Sequence, residues 1–214
     1  MTYLQLINAV LRRLREDTVA DLTATRTLQV GDFVNEAKTW LENAWNWSAL
    51  RDQIQVTTSA STAQYTLTGS GNRFSTEIVA DATNNCVLRP RSVAWLKATN
   101  LQTTTSEGVP VYYIYDGVDA SGDTKASLYP TPGGTYTINF DVFQRTADLS
   151  TASETVLIPT QPLIDYAYAL AAEERGDTGG GSEISLFMRA QRSIGDAIAH
   201  DNAFYTPNTD WYPN

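Results

Sequence analysis

The chain has 214 residues, 18% of them charged and 10% aromatic, with a formal charge of −9. A chain of this length can bury a sizeable core without metal or disulfide, and its acidity works against tight binding to a phosphate backbone, which needs clustered Lys and Arg. Cys86 is the sole cysteine, so an intrachain disulfide is excluded, and the charged fraction lies below the usual quarter, which suggests surface buried in an assembly.

In chain order, Thr2 to Glu16 predicts an amphipathic helix. Tyr3, Leu4, Leu6, Ile7, Val10, Leu11 and Leu14 fall on one side at 100° per residue, with Gln5, Arg12, Arg13 and Glu16 opposite. The same segment lacks a basic region followed by an unbroken apolar run, so it does not read as a secretory signal. No window reaches the roughly eighteen apolar residues that span a bilayer. The expectation is a soluble protein made in a cytoplasm.

A second helix is predicted from Gln29 to Leu50. Phe33, Ala37, Trp40, Ala44 and Trp47 project together, and Val30, Val34, Leu41 and Trp45 widen the arc to roughly 160°, against about 100° for a helix covering one core face. A helix that wide packs on two sides.

From Asp52 the period becomes two. Gln53–Thr58 and Gln64–Thr68 read as strands, and Gly69-Ser70-Gly71-Asn72 as a loop. Ser92–Ala98 reads as a strand behind the extended Arg89-Pro90-Arg91, and Val109–Asp116 as another. Ala126 to Phe140 reads as a hairpin: a strand, a Pro-Pro-Gly-Gly turn, and a second strand alternating Tyr136, Ile138 and Phe140 with polar residues.

Thr160 is positioned to cap a helix from Gln161 to Arg175, and Ser182 one that runs to Asn202 with Ile184, Phe187, Ala190, Ile194 and Ile198 on its apolar face. Gly179-Gly180-Gly181 lies between them as a hinge. The fold class expected is α+β: N- and C-terminal helices forming a helical bundle, with a mainly antiparallel β-sheet domain between them. The segments are 1–51, 52–150, 151–203, and an aromatic tail at 204–214.

Reactive chemistry is sparse. His200 is the only histidine and falls on the polar side of a last helical turn, where the helix dipole already favours it. With one Cys and one His, neither a nucleophilic triad nor a structural zinc site is expected. Asp116, Asp119 and Asp123 crowd one loop without calcium-loop spacing, and the three glycines lack the Lys-Ser/Thr ending of a phosphate loop. Glu173 and Glu174 point about 100° apart, unlike a paired acid and base. No enzymatic activity, cofactor or metal is expected.

Trp40, Trp45 and Trp47 merge with an aliphatic stripe, which favours core or subunit contact over a stacking platform. Phe204, Tyr205, Trp211 and Tyr212 lie in an aperiodic segment with two prolines and suit anchoring in a partner's groove.

Several blocks together resemble the head-to-tail adaptor proteins of tailed bacteriophages, of the podophage type. They are Tyr3-Leu4-Gln5-Leu6-Ile7-Asn8-Ala9-Val10-Leu11-Arg12-Arg13-Leu14, Gly31-Asp32-Phe33-Val34-Asn35-Glu36-Ala37-Lys38, and Trp45-Asn46-Trp47-Ser48-Ala49-Leu50-Arg51. Leu128-Tyr129-Pro130-Thr131-Pro132 and Ile158-Pro159 before the Ala/Tyr-rich Tyr166 to Ala172 also match. The resemblance implies a dodecameric ring in the neck of a virion. It docks on the portal protein, meets a tail or nozzle protein, and passes DNA without sequence-specific binding and without a membrane. Trp40, Trp45, Trp47, Phe204, Tyr205, Trp211 and Tyr212 are then the candidate oligomer or portal contacts. The alternative is a carbohydrate- or receptor-binding tail accessory protein using Trp45, Trp95 or Tyr112 to Tyr115 as an exposed platform.

Overall fold

The structure, a computed structural model, describes residues 1–71, 74–102, 106–176 and 182–203. The chain is α+β, with helices towards both ends and sheets that are mostly antiparallel. It divides into two compact units: Met1–Leu50 with Thr146–Asn214, and Arg51–Arg145.

The first unit draws its core from both ends of the chain. Helix α1 (Tyr3–Arg13) begins at a reciprocal cap: the Gln5 amide donates to Thr2 Oγ1 and the Thr2 amide to Gln5 Oε1, which satisfies two N–H groups the helix cannot. Its predicted face is the buried one, with Leu6, Ile7, Val10 and Leu11 essentially inaccessible. Helix α2 (Thr25–Ala44) crosses it at Gly31, where any Cβ would overlap the Tyr3 hydroxyl. Helix α4 (Thr160–Glu174) packs against α1, α2 and α5 (Ser182–Asn202), with Leu163, Ala167 and Ala171 buried among them.

Helix boundaries differ from expectation, most of all at α2 and α4. Helix α2 starts four residues earlier than predicted and stops at Ala44, not Leu50. Trp45 is extended, and a single 3-10 turn (Ser48–Leu50) follows. The cause is side-chain competition for helix-end groups: the Trp47 indole donates to the Leu41 carbonyl at 2.8 Å, filling an acceptor the next helical amide would have used. At α4, Pro159 and not Thr160 is the capping residue, and no side chain bonds there.

In the second unit, β1 (Arg51–Thr57), β10 (Thr137–Gln144), β3 (Phe74–Asp81) and β4 (Cys86–Val87) form an antiparallel sheet in the order β1-β10-β3-β4. The other four-stranded sheet runs β2 (Gln64–Thr66), β8 (Thr124–Tyr129), β7 (Tyr112–Val118), β5 (Arg89–Pro90), the last pairing parallel. Val56, Val79, Ile138, Phe140 and Val142 from the first sheet share one core with Tyr113, Ala126 and Leu128 from the second, and with Leu67 and Leu88 just outside the strands. A parallel pair, β6 (Glu107–Gly108) with β9 (Thr131–Pro132), forms a separate two-stranded sheet.

Two expectations fail in this unit. Ala126 to Phe140 is no hairpin: β8 and β10 belong to different sheets, and the Pro-Pro-Gly-Gly stretch carries the chain across. Pro130 and Pro132 supply no N–H, so the ladder of β8 cannot continue through them. Ser92–Ala98 is no strand but the first part of helix α3 (Val93–Gln102). Ser92 Oγ accepts the Trp95 amide at 3.2 Å, a side-chain cap that redirects the chain after its extended Arg-Pro pair. Strand β3, at the centre of its sheet, had no counterpart in the sequence reading.

Candidate functional site

Trp47 is core: it is 1% exposed, and its indole is spent on Leu41. Trp45 is half-buried, with Nε1 donating to Asp201 Oδ2 at 2.9 Å. The same carboxylate accepts the Ser48 amide and hydroxyl, fastening the far end of α5 to the segment after α2. Trp40 behaves differently. It stacks on Tyr166 with centroids 4.2 Å apart and planes 4° off parallel, and Tyr166 meets Phe187 edge-on at 5.6 Å. This ladder crosses α2, α4 and α5, and all three rings remain half-buried.

Beside the ladder on α5, Ile184 is 65% and Met188 62% exposed. The sequence assigned Ile184 to the apolar face, but the helix turns Ala190 and Ile194 inward and leaves Ile184 at the margin. Exposed Glu36 and Glu173 stand at the rim. Burial, then these two carboxylates, push the Tyr166 hydroxyl above its ordinary range. The three-helix surface is therefore apolar at its centre, with the Glu36 and Glu173 carboxylates on its α2–α4 side and Arg189 on α5 beyond Met188.

Charge is unevenly divided. Residues 51–145 hold seven basic and eight acidic side chains, a net of −1. The rest of the chain holds eight and sixteen, a net of −8. Within the helical unit, Arg26 and Arg175 converge on one acidic side chain. Glu16 receives Arg26 at 3.0 Å and Arg175 at 3.0 Å, and Arg26 also reaches Glu174 at 3.3 Å. The Arg26 hydrogen bonds, then the two guanidinium charges, hold the Glu16 carboxyl below the usual carboxylate range. Buried Asp165 takes Arg13 at 2.5 Å and Arg189 at 3.4 Å, tying α4 to α1 and α5.

In the sheet unit, Trp95 of α3 packs against Tyr112 and Tyr129, and the Arg91 guanidinium lies 4.8 Å over Tyr112 and 5.4 Å over Trp95. Tyr113 is buried. Tyr115 bonds the Thr76 hydroxyl, and burial lifts its own hydroxyl to about 12. Tyr113 and Ile114 are thus buried and Tyr112 and Tyr115 half-buried, so the four do not form one exposed platform.

The other chemical candidates are accounted for locally. Asp119 accepts the Ser121 and Asp123 amides and Asp123 the Gly69 and Gly71 amides, so the acidic loop is bound to its own backbone. Among the described residues no cluster of three or more His, Cys, Asp or Glu is placed to hold a metal ion. His200 is exposed and lines a cleft of about 410 Å³ with Pro159, Pro162, Asp196 and Ala197. No described helix is long and apolar enough to cross a membrane.

Phe204, Tyr205, Trp211 and Tyr212 lie outside the described residues, as does Gly179-Gly180-Gly181. The sequence reading missed the exposed Ile184–Met188 margin and helix α3. A signal existed for each: Ile184 and Met188 one turn apart on α5, and Ser92 three residues ahead of Trp95.

Residues 1–209 match the model of the SU10 adaptor protein family. Among curated proteins nothing matches.

Proposed function

Because the chain belongs to the SU10 adaptor protein family, we propose that it is a structural head-to-tail adaptor of a bacteriophage virion, resident in the neck. Copies assemble into a ring, twelve in the fullest form of the reading. The ring docks on the portal protein, continues the DNA channel and receives a tail or nozzle protein. The observation that carries this is the family match across residues 1–209, which takes in both units and leaves only the last five residues.

The physical features support it in different degrees. A helical unit with a net of −8 repels a passing duplex, so DNA slides without sticking. Trp40, with its ladder half-open to water, and Trp45, half-buried on Asp201, are the contacts we assign to neighbouring subunits. Trp47 contributes to the core that supports them. Phe204, Tyr205, Trp211 and Tyr212 are assigned to portal docking as exposed anchors.

Mass photometry of the purified chain with and without portal tests the reading. A ring-sized gain in mass on mixing is expected, and an unchanged mass refutes it. Deleting 206–214 is expected to weaken portal binding while the helical circular dichroism stays intact. Equal affinity after truncation removes the tail from the docking surface.

A further inference from the structure

Helix α3 is out of balance with its surroundings. Six of its ten residues are apolar (Val93, Ala94, Trp95, Leu96, Ala98 and Leu101), yet none of residues 93–101 is buried. Trp95 reaches back to Tyr112 and Tyr129, while Ala94, Lys97, Ala98 and Leu101 face outward, with Leu101 at 88% exposure. Nearby in the same unit, Val111, whose carbonyl takes the Arg89 amide, is 44% exposed. A helix apolar on both sides normally lies inside a protein, and one shorter than about 12 residues does not hold itself in water. Physical chemistry therefore asks for a cover on its outer side.

Charge indicates what the cover is. From Ala82 to Ser106 the sequence has no Asp or Glu but has Arg89, Arg91 and Lys97, all three exposed, in a chain of net −9. A basic, apolar ridge fits an acidic, apolar surface. The helical unit of this same chain offers one: the Trp40–Tyr166–Phe187 ladder with Ile184 and Met188 beside it and Glu36 and Glu173 at its rim.

We propose that α3 of one copy docks, through Leu101 and Lys97, on the three-helix surface of a second copy. The contact joins two different patches, so it repeats head to tail and closes into a ring where the rotation allows. It deepens the adaptor reading, on which it rests, by naming the subunit contact.

The test uses the full chain with the photo-cross-linker benzoylphenylalanine in place of Leu101, in an equal mixture of nitrogen-15-labelled and unlabelled copies, irradiated with and without portal. Cross-links of mixed isotope to peptides of α2, α4 or α5 are expected. Cross-links confined to one isotope, or none in either condition, overturn the proposal. Leu101→Asp and Lys97→Glu, each checked for unchanged circular dichroism, are expected to weaken self-association in sedimentation about tenfold. Wild-type association is expected to fall with rising salt. Wild-type affinity in both variants also overturns it. Portal that gains equal mass from wild type and Leu101→Asp leaves the adaptor reading standing and removes α3 from it. Wild type that adds no mass to portal removes the adaptor reading itself.

Discussion

Lys38 and Glu42 form a buried ion pair one turn apart on α2, with side chains 1% and 3% exposed. Each ammonium proton has an acceptor: Nζ lies 2.8 Å from the Thr146 carbonyl, 3.0 Å from that of Ala147, and 3.3 Å from Glu42 Oε1. Glu42 in turn accepts the Thr146 hydroxyl at 2.8 Å. Lys38→Met keeps most of the apolar stem of the side chain and removes the charge. It removes the Lys38 ammonium from the buried Glu42 carboxylate and the Lys38 donor from two carbonyls. Removing one member of a buried pair costs about 3–5 kcal/mol, and in a chain of this size each kcal/mol moves the melting temperature by roughly 2–4 °C. We expect a loss of about 4 kcal/mol in urea titrations followed at 222 nm, with Tm lower by roughly 8–16 °C. Lys38→Met with Glu42→Leu is expected to recover most of the loss, because a packed apolar pair replaces a buried ion pair at little net cost. A single variant within about 1 kcal/mol of wild type refutes the claim that this pair anchors the returning chain at Thr146.

Gly31→Ala is expected to destabilise by about 1–3 kcal/mol despite alanine's better helix propensity, because the new Cβ meets Tyr3. Adding Tyr3→Phe is expected to relieve part of that loss, and wild-type melting of Gly31→Ala alone refutes the close approach. Glu16 has a lowered folded pKa, so its contribution is present above the ordinary carboxylate range and fades as pH falls through the lowered value. In acid denaturation, Glu16→Gln is expected to be less stable than wild type near neutrality and to converge with it in strong acid. Parallel curves refute the link. Tyr115 has a raised folded pKa of about 12, so its contribution is full below pH 10, where the unfolded side chain begins to ionise, and is lost towards 12. Titration at 295 nm is expected to lose its latest component in Tyr115→Phe, and an unaltered alkaline limb counts against the assignment.

The legible parts of the fold were those where one periodicity dominates. The α1 stripe and the Ile138–Phe140 alternation lie buried where the residues placed them. Sheet membership was not legible, because a strand's period says which face is covered but not which strand lies beside it, and Pro130 and Pro132 mark a crossing as readily as a turn. Helix α3 was missed because Val93 and Trp95 favour a strand locally, while the Ser92 cap decides the backbone. The tryptophans were legible as a group but not individually. Trp47 goes inward on a hydrogen bond six residues back and Trp40 stays at the surface on Tyr166, which depends on contacts far along the chain.

The helical unit is assembled from two stretches that leave the ribosome far apart in time. Met1–Leu50 emerges with Leu6, Ile7 and Val34 lacking the α4 side chains that later cover them, while all of Arg51–Arg145 is synthesised and can close on its own core. The sheet unit is thus the early-forming piece, and the first two helices wait for Leu163 and Ala167. During that interval the apolar faces of the first two helices stand open to water, so the helical unit closes only after the last third of the chain has been made.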